Sequence, residues 1–342
     1  MDVRSVYAKI LMDNKIIGWG EAAPAWEVTG ETQHSVKDVI DNYLSPDLIG
    51  KKIEDYDDLQ NCFETFDPEK NPQIIWGNPS AKAALDIALF DAYGKLVEKP
   101  IYKILGGQSK AIKPAATMGI MDLEKTLETV RNAITRGAKR VKLKVGLDMD
   151  KDFKTVKAVR ESFPELEVVL DANQGYVTPE NGIKFIKKIE NFDILWMEQP
   201  ILADDKKGLL EVKKSVEIPI MADEAIHSYW DAKLLLEMGA VDLVNIKLMK
   251  SSGIPGALKI ADLCQDHGVP CQMGSMIESS IGTAAGIHTA LSHKNIRYNE
   301  LAGMEKMESN IGTGVTFQNQ KLLVSNRPGL GISLEEKELT CD

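Results

Sequence analysis

Hydrophobic and polar positions follow two different rhythms along the chain. From about residue 114 onward, short β-rich runs recur at Arg140–Lys144, Glu167–Asp171, Ile194–Glu198, Ile218–Asp223, Leu243–Lys247, Val269–Met273 and Ile296–Glu300. Their starts lie 24 to 27 residues apart. Between them apolar residues fall at three- and four-residue spacing, as in Leu123–Arg136, Phe153–Phe163 and Ala232–Met238, which predicts amphipathic helices. Strand–helix alternation at this interval predicts βα units around a parallel sheet. With the short run Ala115–Met118 there are about eight strands, enough to close a barrel. No Gly-rich first turn marks the alternative, an open doubly wound sheet.

Residues 1–113 read as an α+β module. Val3–Met12 and Ile16–Trp19 flank Asp13-Asn14-Lys15, a hairpin turn, and helical stretches follow near Ser35–Tyr43, Tyr56–Phe66 and Pro79–Val97. The tail Thr316–Leu339 returns to strand-like runs that are expected to pack back on this module. The expected division is therefore a front module over 1–113, a barrel over 114–315 and a tail over 316–342.

Composition narrows the partners. The 342 residues carry a net charge of −10, which argues against nucleic acid or an anionic membrane surface. No apolar signal core opens the chain and no stretch is apolar enough to span a bilayer. Cys62, Cys264, Cys271 and Cys341 form no CxxC pair and read as reduced thiols. The expectation is a cytoplasmic enzyme-sized protein.

The predicted strands end in charge: Lys144, Asp171, Glu198, Asp223 with Glu224, and Lys247. In a βα barrel these ends face the active-site mouth. Helix caps and surface turns would account for Asp171 or Asp223 alone, but lysine is a poor cap and Glu198 precedes Gln199-Pro200. Three carboxylates from consecutive strands cannot stay ionised together without a compensating cation. Oxygen ligands without Cys or His select Mg²⁺, with Mn²⁺ as a competitor. Asn173 is placed to orient Asp171, and Glu224 to support Asp223. His34, His227, His267, His288 and His293 lie outside the strand ends, and His227, close after Asp223-Glu224, is the nearest to them.

Lys142 and Lys144 share the inward face of one strand, about 7 Å apart. Such closeness is expected to depress their pKa values and to make one a base near neutrality. Lys247 arrives four strands later, across the barrel. Opposed lysines with a metal between them suit removal and return of a proton next to a carboxylate, the metal stabilising the charge that develops.

The set Lys142-x-Lys144, Asp171-Ala172-Asn173, Glu198-Gln199-Pro200, Asp223-Glu224 and Asn245-Ile246-Lys247 resembles the muconate-lactonizing subgroup of the enolase superfamily. Gly18-Trp19-Gly20-Glu21, Leu105-Gly106-Gly107 and Pro328-Gly329-Leu330-Gly331 extend the resemblance through nearly the whole chain. It implies a modified TIM barrel of (β/α)7β type with an α+β capping domain built from the front module and the tail. It also implies Asp171, Glu198 and Asp223 as metal ligands, Lys144 and Lys247 as the acid/base pair, and Lys142 holding the substrate carboxylate. A homo-oligomer acting on a small-molecule carboxylate is expected.

Trp26–Thr32 is similar to the capping loop of dipeptide epimerases and makes Thr29 a candidate substrate contact. Met273–Ser279 fits the same group and adds Ser275 and Glu278. The stretch Asn299-Glu300-Leu301-Ala302-Gly303 lacks the Asp-x-Asp usual in dipeptide epimerases and is more like the Glu-Leu-x-Gly of muconate cycloisomerases, with Glu300 replacing one acidic contact. The resemblance further places a strand and lid loop ahead of Val3, so part of the usual lid is expected to be absent. The leading expectation is a Mg²⁺-dependent epimerase or racemase of a dipeptide or other amino-acid derivative. A muconate-type cycloisomerase, an N-acylamino acid racemase, an o-succinylbenzoate synthase, a Schiff-base aldolase and a non-catalytic barrel stay open as alternatives.

Overall fold

The N-terminal module begins with the antiparallel hairpin β1 (Val6–Leu11) and β2 (Ile17–Ala22), followed by α1 (Gln33–Val39), α2 (Ser45–Leu48), α3 (Tyr56–Glu64), α4 (Pro79–Leu96) and α5 (Ile101–Ile104). The structure, a computed structural model, describes residues 4–301, 303–307, 310–334 and 339. Val3, Ala302 and the tail beyond Leu334 other than Leu339 therefore lie outside the described residues. Helix α1 runs directly into a π-helical turn at Ile40–Leu44, so the helix expected over Ser35–Tyr43 is present in two geometries.

Helix α4 is buried all round from Ser80 to Gly94. It is rich in alanine, and an apolar helix without a polar face belongs inside a protein. Its small side chains let β2 lie against its backbone. A Cβ on Gly18 or Gly20 would come within 2.1 Å of Ala88 O or 1.8 Å of Ala84 O, so only glycine fits. Carboxylates then fasten the layers. Asp91 accepts the amides of Trp19 on β2 and of Leu330 in the tail, both at 2.9 Å. Glu21 accepts Ser279 N and Gly282 N at the start of a barrel helix, where a negative charge opposes the helix dipole favourably.

Eight parallel strands follow in chain order: β3 (Ala116–Met118), β4 (Arg140–Lys144), β5 (Glu167–Asp171), β6 (Ile194–Glu198), β7 (Ile220–Ala222), β8 (Leu243–Ile246), β9 (Cys271–Met273) and β10 (Ile296–Asn299). Ala115 N donates to Asn299 O at 3.0 Å, which brings the last strand back to the first. The seven intervening helices are α6 (Leu123–Thr135), α7 (Met149–Ser162), α8 (Pro179–Ile189), α9 (Lys206–Ser215), α10 (Tyr229–Met238), α11 (Ile254–Asp266) and α12 (Ser280–Ser292). This is the (β/α)7β barrel. Asp122, Asp148, Thr178, Asp205, Ser228 and Ser279 cap six of these helices by accepting first-turn amides.

Strands β7 and β9 start two residues later than the sequence pattern suggests. Pro219 and Pro270 precede them, and proline cannot donate to a strand ladder. In the tail, β11 (Val315–Gln318) and β12 (Lys321–Val324) form a hairpin, and Leu322 bridges to Ile112. No helix among the described residues is long and apolar enough to cross a membrane.

Candidate active site

The parallel ladder sets Lys144, Asp171 and Glu198 side by side at one level of the sheet. Asp223 follows the last residue of β7, and Lys247 the last residue of β8. The pleat that turns Lys142 and Lys144 inward leaves Val141 and Leu143 buried on the helix side. Lys142 Nζ reaches Asp171 Oδ2 at 2.8 Å, Glu198 Oε1 at 2.9 Å and Glu300 Oε2 at 2.6 Å. Lys144 Nζ pairs with Asp171 Oδ2 at 2.6 Å and also donates to Asn173 Oδ1. Across the mouth, Lys247 Nζ pairs with Asp223 Oδ2 at 2.7 Å.

The charges set one another's ionisation. Burial alone would depress the Lys142 ammonium, but Asp171, Glu198, Glu300 and Asp223 hold it well above the ordinary lysine range. The depression expected from its closeness to Lys144 is therefore reversed at Lys142, because the surrounding carboxylates outweigh one neighbouring ammonium. Burial also opposes ionisation of Asp171, yet Lys142 and Lys144 hold its carboxyl down to about 2. Asp223 is held well below the carboxylate range, against burial, by Lys247 and Lys250. Burial, then the charge of Asp171, pushes Glu198 well up. Burial raises Glu224 in the same way, with Asp223 adding to it.

Asn173 links the two halves of the site, since its own amide N–H donates to Asp171 Oδ1 and its side chain donates to Glu224 Oε1 at 2.8 Å. Glu300 is spoken for at both oxygens: Thr117 on β3 donates to Oε1 at 2.7 Å, and Lys142 holds Oε2. Ser275 donates its hydroxyl to Glu300 O at 3.2 Å. Thr29 bonds within its own loop, to Ala25 O at 3.3 Å. That loop meets the barrel at His227, whose Nε2 lies 2.6 Å from Val28 O. Glu278 accepts Met276 N through Oε1, and burial pushes its carboxyl up to about 7.

Two side chains to which the sequence assigns no role belong to the cluster. Asn245 donates to Glu198 Oε1 at 2.9 Å, and buried Lys250 pairs with Asp223 Oδ1 at 2.6 Å. The only signal for Lys250 in the sequence is its spacing of three from Lys247.

A divalent cation suits the hard oxygens of Asp171, Glu198 and Asp223. Among the described residues, Glu198 Oε2 and Glu224 Oε2 are buried with no hydrogen-bond partner, a costly state that a cation would relieve. The residues fit such an ion. As they stand, no three acidic, histidine or cysteine side chains among the described residues converge on one point. Lysine ammonium groups hold Asp171 Oδ2, Glu198 Oε1 and both oxygens of Asp223.

Residues 2–106 match the mandelate racemase/muconate lactonizing enzyme N-terminal domain, and residues 125–338 match the enolase C-terminal domain-like family. The chain belongs to the enolase superfamily. Within that superfamily it falls in the muconate-lactonizing subgroup. The N-succinyl-L-Arg/Lys racemase of Bacillus cereus is 34% identical over 340 residues, covering 99% of this chain and 90% of the relative. The L-Ala-D/L-Glu epimerase of Clostridium acetobutylicum is 36% identical over 338 residues, covering 96% and 91%. The solved structure of the dipeptide epimerase of Cytophaga hutchinsonii, complexed with Mg and the dipeptide D-Ala-L-Val, superposes with a TM-score of 0.90 at 29% identity, over 98% of this chain and 89% of that one. Racemases and epimerases are isomerases, and that is the enzyme class of this enolase-superfamily chain.

Proposed function

We propose that this isomerase moves the proton next to a carboxylate, racemising or epimerising an N-acylated amino acid or a dipeptide. The observation that carries this reading is the opposition of Lys144 and Lys247. Lys144 is paired to Asp171, the last residue of β5, and Lys247 to Asp223, just beyond β7, with Glu198 on the strand between them. A substrate lying over the carboxylate row meets one amine on each face. The neutral lysine removes the proton and the opposite ammonium returns one, so the configuration inverts and the two lysines exchange roles.

Asp171, Glu198 and Asp223 are the residues that would hold Mg²⁺ or Mn²⁺. When bound, the cation supplies a Lewis acid for the negative charge that develops at the substrate carboxylate. Lys142, its three donors engaged by Asp171, Glu198 and Glu300, holds the acidic row in register and acts on the substrate carboxylate through its charge rather than a direct bond. Thr29, Ser275 and Glu278 are the proposed contacts for the rest of the substrate. Because both oxygens of Glu300 are engaged, no free acid at the end of β10 awaits a substrate ammonium group. This favours substrates whose amine is acylated.

Incubation with N-acylamino acids and dipeptides in D₂O with Mg²⁺, followed by proton NMR, tests the reading. Loss of the α-proton signal is expected for at least one of these classes, and chelation should abolish it until Mg²⁺ or Mn²⁺ is restored. Absence of exchange in every compound, together with consumption of muconate, would replace the reading with a cycloisomerase.

A further inference from the structure

Lys250 has no task in the acid/base scheme, yet it is among the most firmly held groups of the site. It sits on the turn that leaves β8, where the amides of Lys250 and Ser251 donate to Lys247 O at 3.0 and 3.1 Å. This turn brings two ammonium groups to one carboxylate. Lys247 takes Asp223 Oδ2 and Lys250 takes Asp223 Oδ1.

The two lysines are held very differently. Lys250 also donates to the backbone carbonyls of Asp223 and Asn245. Three acceptors thus match the three N–H donors of its ammonium group, and its side chain is 2% exposed. Among the described residues the only partner of Lys247 is Asp223 Oδ2, which leaves two donors free. Asn245, whose carbonyl Lys250 holds, gives its side-chain amide to Glu198 Oε1. One ammonium group therefore steadies two of the three acidic side chains, Asp223 directly and Glu198 through Asn245.

The geometry points to Lys250 as a positioning residue, a fixed cation that ties the ends of β7 and β8 together and occupies Asp223 Oδ1. Oδ2, held by Lys247 alone, would then be the oxygen of Asp223 left to a divalent cation. This assignment rests on the proposed roles of Asp223 and Lys247. A saturated, buried ammonium has no route to a substrate proton, so Lys250 acts through Asp223. Partners that orient metal-binding carboxylates typically matter by about 10- to 100-fold in metal affinity or activity.

Calorimetric titration of the full chain with MgCl₂, without substrate, tests this with Lys250→Met, Lys250→Gln and Lys247→Met. Lys250→Met should weaken magnesium binding by about 10- to 100-fold. Lys250→Gln, which keeps two donors, should weaken it less. Lys247→Met should bind magnesium no more weakly than wild type, because it removes a competitor for Oδ2. Wild-type affinity in Lys250→Met overturns the assignment. Should that variant fail to fold by circular dichroism, Lys250→Gln decides, and wild-type affinity there overturns it equally. A wild-type chain that binds no magnesium removes the metal role of Asp223 and this inference with it. A chain that binds magnesium but exchanges no α-proton defeats the functional reading alone, and the titration still judges Lys250.

Discussion

At the floor of the barrel, Val169, Trp196, Met221 and Leu243 form an apolar cluster of their own. Two residues further along the same four strands stand Asp171, Glu198, Asp223 and Asn245, all of them fully buried. A period of two keeps both sets on the inner face, so a single pleat separates oil from ions. The floor stabilises by removing apolar surface from water, at about 25 cal/mol per Å². The mouth does the reverse, since buried charges cost more in desolvation than an ion pair returns unless every lone pair is matched. Stability and chemistry are thus carried by adjacent layers of one barrel, and substitutions should separate them.

The largest effect is expected at the mouth. Lys144→Ala should lower racemisation by about 10²- to 10⁴-fold, the usual worth of a positioned acid or base, while the thermal midpoint stays near that of wild type. Retained turnover would break the division of roles. At the floor, Trp196→Ala should cost about 3–5 kcal/mol in urea unfolding, with turnover per folded molecule little changed at low temperature. Intact stability with lost turnover would show that the floor belongs to the site.

Glu278 sharpens the comparison through pH. Its carboxyl is raised by burial from 4.5 to about 7 in the folded protein. The folded state then holds the proton more tightly than the unfolded one, so stability is full below about pH 4.5 and falls until about pH 7. At about 1.4 kcal/mol per unit the whole loss is about 3.5 kcal/mol. Glu278→Gln should therefore match wild type at pH 4 and exceed it in unfolding free energy at pH 8. A pH-independent difference between the two would contradict the burial account. The smallest effect belongs to the surface. Lys157 lies 3.8 Å from Glu161 one helical turn on, both exposed, and Lys157→Ala should change stability by less than about 0.5 kcal/mol. A larger loss would mean that the outer face carries stability assigned here to the floor.

Much of this contrast is legible along the chain. Strands β4, β5 and β6 match their sequence-based limits because each is an uninterrupted run that stops at a charged residue, Lys144, Asp171 or Glu198. The bond from Lys142 to Glu300 across the mouth is not legible, because it spans 158 positions and no local pattern encodes it. Lys250 escapes for a different reason. It lies in a turn rather than at a strand end, where periodicity gives no direction to a side chain. The high Lys142 pKa escapes as well, since spacing along one strand reveals its neighbour Lys144 but not the carboxylates arriving from other strands.

The most direct test of the opposed lysines is enantiomer-resolved exchange. Each enantiomer of an accepted substrate would be incubated separately in D₂O with Lys144→Ala and with Lys247→Ala, and the α-proton followed by NMR. Each variant should exchange one enantiomer only, the opposite one in the two variants, and neither should racemise. If either variant exchanges both enantiomers, or if both retain exchange of the same one, the two lysines do not face opposite sides of the substrate and the account fails.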